Sequence, residues 1–195
     1  LKVPSDAVEG NQVVAHSRYL IDNLPAMFAN HEGTLVLFSS RRQMQEVQGE
    51  LPLKLRDEIL MQGQFSNREM LRLHRERIDS GDRSVLFGLA SFAEGVDLPG
   101  NYCRHVVIVK LPFAVPNHPL QEALSEWVEN RGGNAFFDIA LPTASLRLTQ
   151  ACGRLLRTET DTGSVTILDR RIVSKRYGMQ LLNALPPFAR DLNAS

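Results

Sequence analysis

Apolar residues in this 195-residue chain fall into short runs, separated by polar loops and by stretches where they recur every third or fourth position. The runs are 34–40, the weaker 58–62, 84–88, 105–110 and 164–168. Nearly all are apolar at consecutive positions, as strands must be when both faces of a parallel sheet are covered. Helical spacing appears over 12–28, where Val13, Val14, Tyr19, Leu20, Leu24 and Phe28 share a stripe, and over 41–47 directly after the first run. Ser66 and Glu69 offer a capping box ahead of Met70, Leu71, Leu73 and Ile78, and Gly81 stops that helix. Further helices are predicted over 120–128, 145–156 and 177–185, the last ended by Pro186 and Pro187. Strands alternating with helices predict an α/β fold, a mostly parallel sheet with helices on both faces. One domain over 1–195 is the economical reading. Residues 112–142, rich in Pro, Asn and Gly around one helix, read as an insertion between two strands.

Composition narrows the class. At 43% hydrophobic and 23% charged, the chain is neither disordered nor a disulfide-stapled mini-protein. Its 22 basic and 22 acidic residues cancel, so no global field announces a nucleic-acid partner. The balance hides a division: positions 1–140 hold 14 basic and 18 acidic residues, whereas 141–195 hold 8 and 4. Cys103 and Cys152 lie far apart with no CxxC, which argues against a zinc or iron–sulfur site within the chain and fits a reducing, cytoplasmic setting. His16, His31, His74, His105 and His118 show no HxxxH or HExxH spacing, so no metal site is expected. No aliphatic run approaches a membrane span, and the first residue is Leu, so a soluble piece of a longer protein is expected.

Nucleotide chemistry has no autonomous home here. No Gly-Lys dipeptide exists to build a P-loop, and no GxGxxG follows a strand. A nucleotide could be met only from the far wall of a site built elsewhere. The segment 150–157 suits that role: on a helix, Gln150, Arg154 and Arg157 fall at i, i+4 and i+7, and Gly153 leaves room for close approach. Guanidiniums are permanently charged and match phosphate oxygens in pairs. Taken alone, QxxGRxxR is equally a solvated basic helix face.

Two further segments supply context. Residues 90–100, containing Glu94, Gly95 and Asp97, follow the run at 84–88, and 35–40 end a run in Ser39 and Ser40. Taken in chain order, 35–40, 90–100 and 150–157 resemble motifs IV, V and VI of superfamily 2 helicases. Their detailed wording, with the ending Leu168-Asp169-Arg170-Arg171, is most similar to the XPD/DinG branch, closest to its bacterial DinG and YoaA groups. The resemblance spans roughly 34–188 and implies the second of two RecA-like motor lobes of an ATP-dependent DNA helicase with 5′ to 3′ polarity. The first lobe, joined in cis, would supply the P-loop, the Mg²⁺-binding acidic motif and a 4Fe-4S cluster, so that ATP and Mg²⁺ are shared between lobes. The chain alone would then be inactive.

The resemblance also implies roles. Arg154 and Arg157 would reach the γ-phosphate of ATP, with Gln150 hydrogen-bonding in the same interface. Gly95, Asp97, Glu94 and Gly153 would face the nucleotide across the lobe boundary. Ser39, Ser40, Arg41 and Ser91 would touch phosphates of single-stranded DNA, joined at the end of the last strand by Arg170 and Arg171. Forked duplex DNA and a replication or repair protein are the implied partners, in the bacterial cytoplasm at the nucleoid. Other readings stay open: a RecA-like module that binds nucleic acid or a replication protein without ATPase activity, an RNA helicase lobe, or Glu94 and Asp97 as paired hydrolase carboxylates. Ser39 and Ser40 could simply cap a helix, and Phe92 could stack on a base or pack. Arg68, Arg72, Arg75 and Arg77 read as an exposed helix face, and Trp127 as a packing residue.

Overall fold

In the computed structural model, residues 1–28, 33–114, 119–155 and 161–194 are described. Their order is β1 (Lys2–Pro4), α1 (Val13–Phe28), β2 (Gly33–Phe38), α2 (Arg41–Glu50), the single turn α3 (Leu53–Arg56), β3 (Ile59–Met61), α4 (Asn67–Asp79), β4 (Ser84–Leu89) and α5 (Ala90–Glu94). A 3-10 turn, Gly100–Tyr102, leads to β5 (His105–Ile108) and α6 (Pro119–Glu129). A π-helical turn, Phe136–Ala140, runs into α7 (Leu141–Cys152), followed by β6 (Ser164–Ile167), α8 (Arg171–Ser174), α9 (Gly178–Asn183) and β7 (Asp191–Ala194). The strands form one sheet in the order β3-β4-β2-β5-β6-β1-β7, every pair parallel.

Alternation along the central strands divides the core in two. Leu35 and Leu37 of β2, Leu86 of β4 and Val106 and Ile108 of β5 point to one face, where α4, α5, α7 and α9 bring Met70, Phe92, Leu148 and Leu181. Val36, Phe38, Val85, Phe87 and Val107 point to the other, under Leu20, Leu24 and Phe28 of α1 and Met44 and Val47 of α2. All six residues of β2 are buried, which is why its sequence shows no polar alternation. Phe38 and Phe87 pack with ring centroids 5.0 Å apart and planes tilted by 51° in the second layer.

The five predicted strands are present, and two more complete the sheet. β1 and β7 are three and four residues long, and they are held by pairing across the chain's length: Lys2 sits opposite both Thr166 and Asp191. Neither carries an apolar run, so periodicity could not reveal them. The predicted 145–156 helix is displaced. It begins at Leu141 and ends at Cys152, with Gly153 as its C-cap donating to the Thr149 and Ala151 carbonyls. Residues 112–142 are more helical than expected of an insertion around one helix, since the π-turn joins α7 and places Pro142 in that helix's first turn. Asn134 starts the turn by accepting from the Phe136 and Phe137 amides. Trp127 is not a packing residue: it is 52% exposed, with the Arg131 guanidinium 4.0 Å above its ring. His31 and His118 lie outside the described residues.

Candidate functional site

The C-terminal ends of parallel strands are where α/β sheets place their ligands, because the loops there diverge and leave a crevice. Here β2 ends in Ser39 and Ser40, β4 runs into α5, β5 ends beside Lys110, and β6 ends at Asp169. A crevice opens between these ends and α7. It is floored by apolar side chains such as Leu37, Ala93 and Ile108, and rimmed by Ser39, Lys110, Arg147, Gln150 and Arg154. Segments separated by more than 100 positions are thus gathered by parallel topology alone.

Ser40 is the N-cap of α2, its hydroxyl oxygen accepting from the Gln43 amide at 3.4 Å. Capping uses an acceptor lone pair and leaves the O–H free to donate outward. Ser39, Ser40 and Arg41 are all exposed. Behind them the cap is anchored by a buried network: His16 Nε2 donates to the Leu168 carbonyl at 2.9 Å, and Gln43 Nε2 donates to His16 Nδ1 and to Ser17 Oγ. Burial, only partly offset by the Leu168 carbonyl, lowers the His16 pKa and keeps the ring neutral.

Arg154 does not continue α7. It follows the Gly153 cap in a turn, so Gln150 and Arg154 do not lie on one continuous helix as their spacing suggested. The face that does look into the crevice carries Arg147, Gln150 and Ala151, and the turn then delivers Arg154. Arg154 Nη1 donates to the Val96 carbonyl at 3.1 Å, a direct link between segments 150–157 and 90–100. The neighbouring Asp97 carbonyl accepts from Arg75 at 2.9 Å, so Arg75, exposed on α4 as expected, also reaches this cluster. Arg157 lies outside the described residues, and of Ser91 and Glu94 only the backbone, in α5, is described.

Gly95 is informative because its own fold does not demand glycine. Gly95 is the C-cap of α5 with φ −98°, and a Cβ there would find its nearest atom at 3.9 Å. Gly153 has φ −66°, and a Cβ would sit 3.3 Å and 3.5 Å from the Thr149 and Gln150 carbonyls. By contrast, a Cβ at Gly88 would strike the Phe92 ring at 2.4 Å. Phe92 is 1% exposed and packs in the core, which rules out base stacking by that ring.

Asp169 gathers the far end of the crevice. The fully buried carboxylate accepts from the Gly10 and Leu111 amides, each at 3.0 Å, and from Arg171 through its amide, Nε and Nη2, the last at 2.6 Å. Burial alone would raise its pKa; the Arg171 guanidinium and the two amides outweigh burial and hold it below the ordinary carboxylate range. Arg171, expected at a phosphate, has a side chain only 13% exposed and is committed to this pair. Arg170 donates to the Pro4 carbonyl at 3.3 Å.

Lys110 and Arg147 were missed by sequence reading. Lys110 closes an otherwise aliphatic run, and Arg147 stands outside the QxxGRxxR pattern. A heptad reading of 147, 150–151 and 154 could have found the latter. Among the described residues no three His, Cys, Asp or Glu side chains cluster to hold an ion, and Cys103 and Cys152 are buried. These two thiols do not fit an iron–sulfur cluster. Among the described residues no helix is long and apolar enough to cross a membrane.

The fold is shared with solved helicases. An XPD helicase structure matches with a TM-score of 0.74 at 19% identity, over 98% of this chain and 34% of its own. The C-terminal domain of the DEAD-box protein Dbp5 matches with a TM-score of 0.54 at 14% identity, over 98% and 87%. The architecture is therefore that of a RecA-like helicase lobe. Residues 24–188 match the family model of the helicase C-terminal domain, and the chain belongs to that family. It is 46% identical over 179 residues to the ATP-dependent DNA helicase DinG of Photobacterium profundum, and 42% identical over 158 residues to that of Escherichia coli (strain K12). Those alignments cover 90% and 81% of this chain but 26% and 22% of the relatives, so the chain spans about a quarter of their length.

Proposed function

We propose that this chain is the second motor lobe of an ATP-dependent DNA helicase, closing an interlobe crevice on ATP and single-stranded DNA. The observation that carries the reading is the link from Arg154 to the Val96 carbonyl, which couples the arginine-bearing turn to the loop holding Gly95 and Asp97. Gly95, which the fold itself does not require, flanks that link and leaves backbone open to another surface. Arg154 and Arg157 face the γ-phosphate and offset the charge that develops as the terminal phosphoryl group departs. Such fingers contribute roughly 10³ to 10⁵ in rate, or about 4 to 7 kcal/mol of barrier. Gln150 hydrogen-bonds at the same boundary, with Asp97 and Glu94 toward the nucleotide. Mg²⁺ and the P-loop belong to the first lobe, joined in cis, as does any 4Fe-4S cluster, so the isolated chain hydrolyses nothing.

On the nucleic-acid side, Ser39, Ser40, Arg41 and Ser91 meet backbone phosphates, since hydroxyls and amides at a strand end beside a helix start form an anion site. Arg170 extends that track. Arg171 acts from behind by fixing Asp169. Single-stranded and forked DNA are the substrates, 5′ to 3′, in the bacterial cytoplasm. The decisive variant is Arg157→Ala in the full-length helicase: DNA affinity stays near wild type while DNA-stimulated ATP hydrolysis is lost. Undiminished turnover would remove Arg157 from the phosphoryl-transfer site. The sequence upstream of Leu1 is a second check, because the reading requires a P-loop and an acidic Mg²⁺-binding motif there.

A further inference from the structure

We infer that Lys110 and Arg147 form a phosphate-binding pair in the crevice, a second cationic site beside the Arg154 turn. The inference rests on the helicase-lobe reading and adds two residues that the motif resemblance does not assign. Among the described residues the side chains lining the crevice include three cations, Lys110, Arg147 and Arg154, and no carboxylate. Asp169 packs beside the Lys110 stem, and its oxygens are already filled by the Gly10, Leu111 and Arg171 donors. Among the described residues no acceptor lies within hydrogen-bond or ion-pair reach of the Lys110 ammonium or the Arg147 guanidinium, although both side chains are half-buried. A half-buried cation gives up hydration, and with no acceptor in hydrogen-bond reach it gains when an anion arrives. Burial, reinforced by the Arg171 charge and only partly offset by the Asp169 charge, lowers the Lys110 pKa from the ordinary lysine value.

The pair is also pre-positioned. A Cβ on Gly10 would lie 2.8 Å from Lys110 Cγ and 2.6 Å from Asp169 Oδ2, so glycine is what allows the lysine stem and the buried carboxylate to pack together there. Arg147 is carried on α7 one turn before Gln150. The crevice opens to solvent beside both cations, so an anion can reach them from outside. Phosphate oxygens supply the charge that the rim lacks. They can come from the backbone of a DNA strand, entering past Ser39, or from the terminal phosphate of ATP, entering past Arg154.

The test uses the full-length helicase with Lys110→Met, Arg147→Gln and the double variant, with Lys110→Arg as the charge-retaining control. Binding of a fluorescein-labelled oligothymidylate is titrated across a salt series, and the KM for ATP is measured at saturating DNA. If the strand supplies the phosphate, the Kd for DNA rises about tenfold for each cation removed. The salt slope then shrinks by about 0.7 per removed cation, with KM unchanged. If ATP supplies it, KM rises about tenfold and the DNA salt slope stays put. Lys110→Arg remains near wild type in either case. Unaltered Kd, salt slope and KM in the double variant overturn the inference while leaving the helicase reading intact. A wild-type protein that neither binds the strand nor hydrolyses ATP overturns both. A folding defect in Lys110→Met would also overturn it, because removing an ammonium that has no internal partner leaves the unfolding transition in place.

Discussion

At the scale of single residues, two buried histidines, His74 and His16, have their hydrogen bonds satisfied by the neutral ring, and that makes stability depend on pH. His74 Nε2 lies 2.7 Å from the Tyr102 carbonyl and must donate to it, so Nδ1 accepts from Ser84 Oγ at 2.8 Å. The neutral ring is therefore complete. A second proton on Nδ1 would point at a hydroxyl oxygen in a desolvated site, and burial lowers the pKa from 6.5 to about 4. Between those values the unfolded chain binds a proton that the folded one refuses, so stability is full above about pH 6.5 and falls as the pH drops toward 4. The loss from this residue reaches about 3 kcal/mol at the acid end, and His16, lowered by burial as well, acts in the same direction. Urea unfolding at pH 7.5 and pH 5 measures it. His74→Gln should be less stable at neutral pH yet lose less on acidification, and an unchanged pH dependence would exclude His74 as its source. None of this was visible in sequence, where His74 was one more polar residue on a helix.

At the scale of elements, local signals were legible wherever they act within one turn. Ser66 caps α4 as its spacing to Glu69 predicts, its Oγ accepting from the Glu69 amide at 3.2 Å. The reciprocal half of the box is absent, because the Glu69 carboxylate pairs with Arg72 instead. Ser66→Ala should destabilise the protein by about 1 kcal/mol, read as a lower urea midpoint with an unchanged slope, whereas Glu69→Gln should change it far less. The end of α7 was misplaced for a complementary reason. Residues 153–155 have ordinary helical composition, and a glycine inside a helical pattern is ambiguous between a weak interior position and a cap. What stops the helix is the Gly153 cap and the turn that sends Arg154 to the Val96 carbonyl, a partner 58 residues away. The direction of Arg154, and so the layout of the site, follows from that stop.

For the molecule as a whole, the crevice is a property of topology: parallel strands bring the ends of β2, β4, β5 and β6 to one side. On the nucleic-acid flank, replacing Ser40 and Arg41 together with alanine in the full-length helicase should weaken single-strand binding and flatten its salt dependence by about 0.7 for each phosphate no longer neutralised. Equal salt slopes for variant and wild type would take motif IV off the strand's path. The division of charge along the chain, −4 then +4, acquires a physical sense as well. Its basic C-terminal part contains Arg147, Arg154 and Arg171, but Arg171 is neutralised internally while Lys110, from the acidic part, joins the rim. The sequence by itself determined the fold class, five strands and the order of three helicase-like segments, because periodicity and motif wording are local and survive without coordinates. Only the tertiary structure decided the two short strands β1 and β7, the end of α7, the saturation of Asp169 and the exposure of Lys110 and Arg147 to one crevice. Each of those depends on which distant backbone groups and charges meet, and pairing between positions as far apart as Lys2 and Asp191 leaves no periodic trace in the chain.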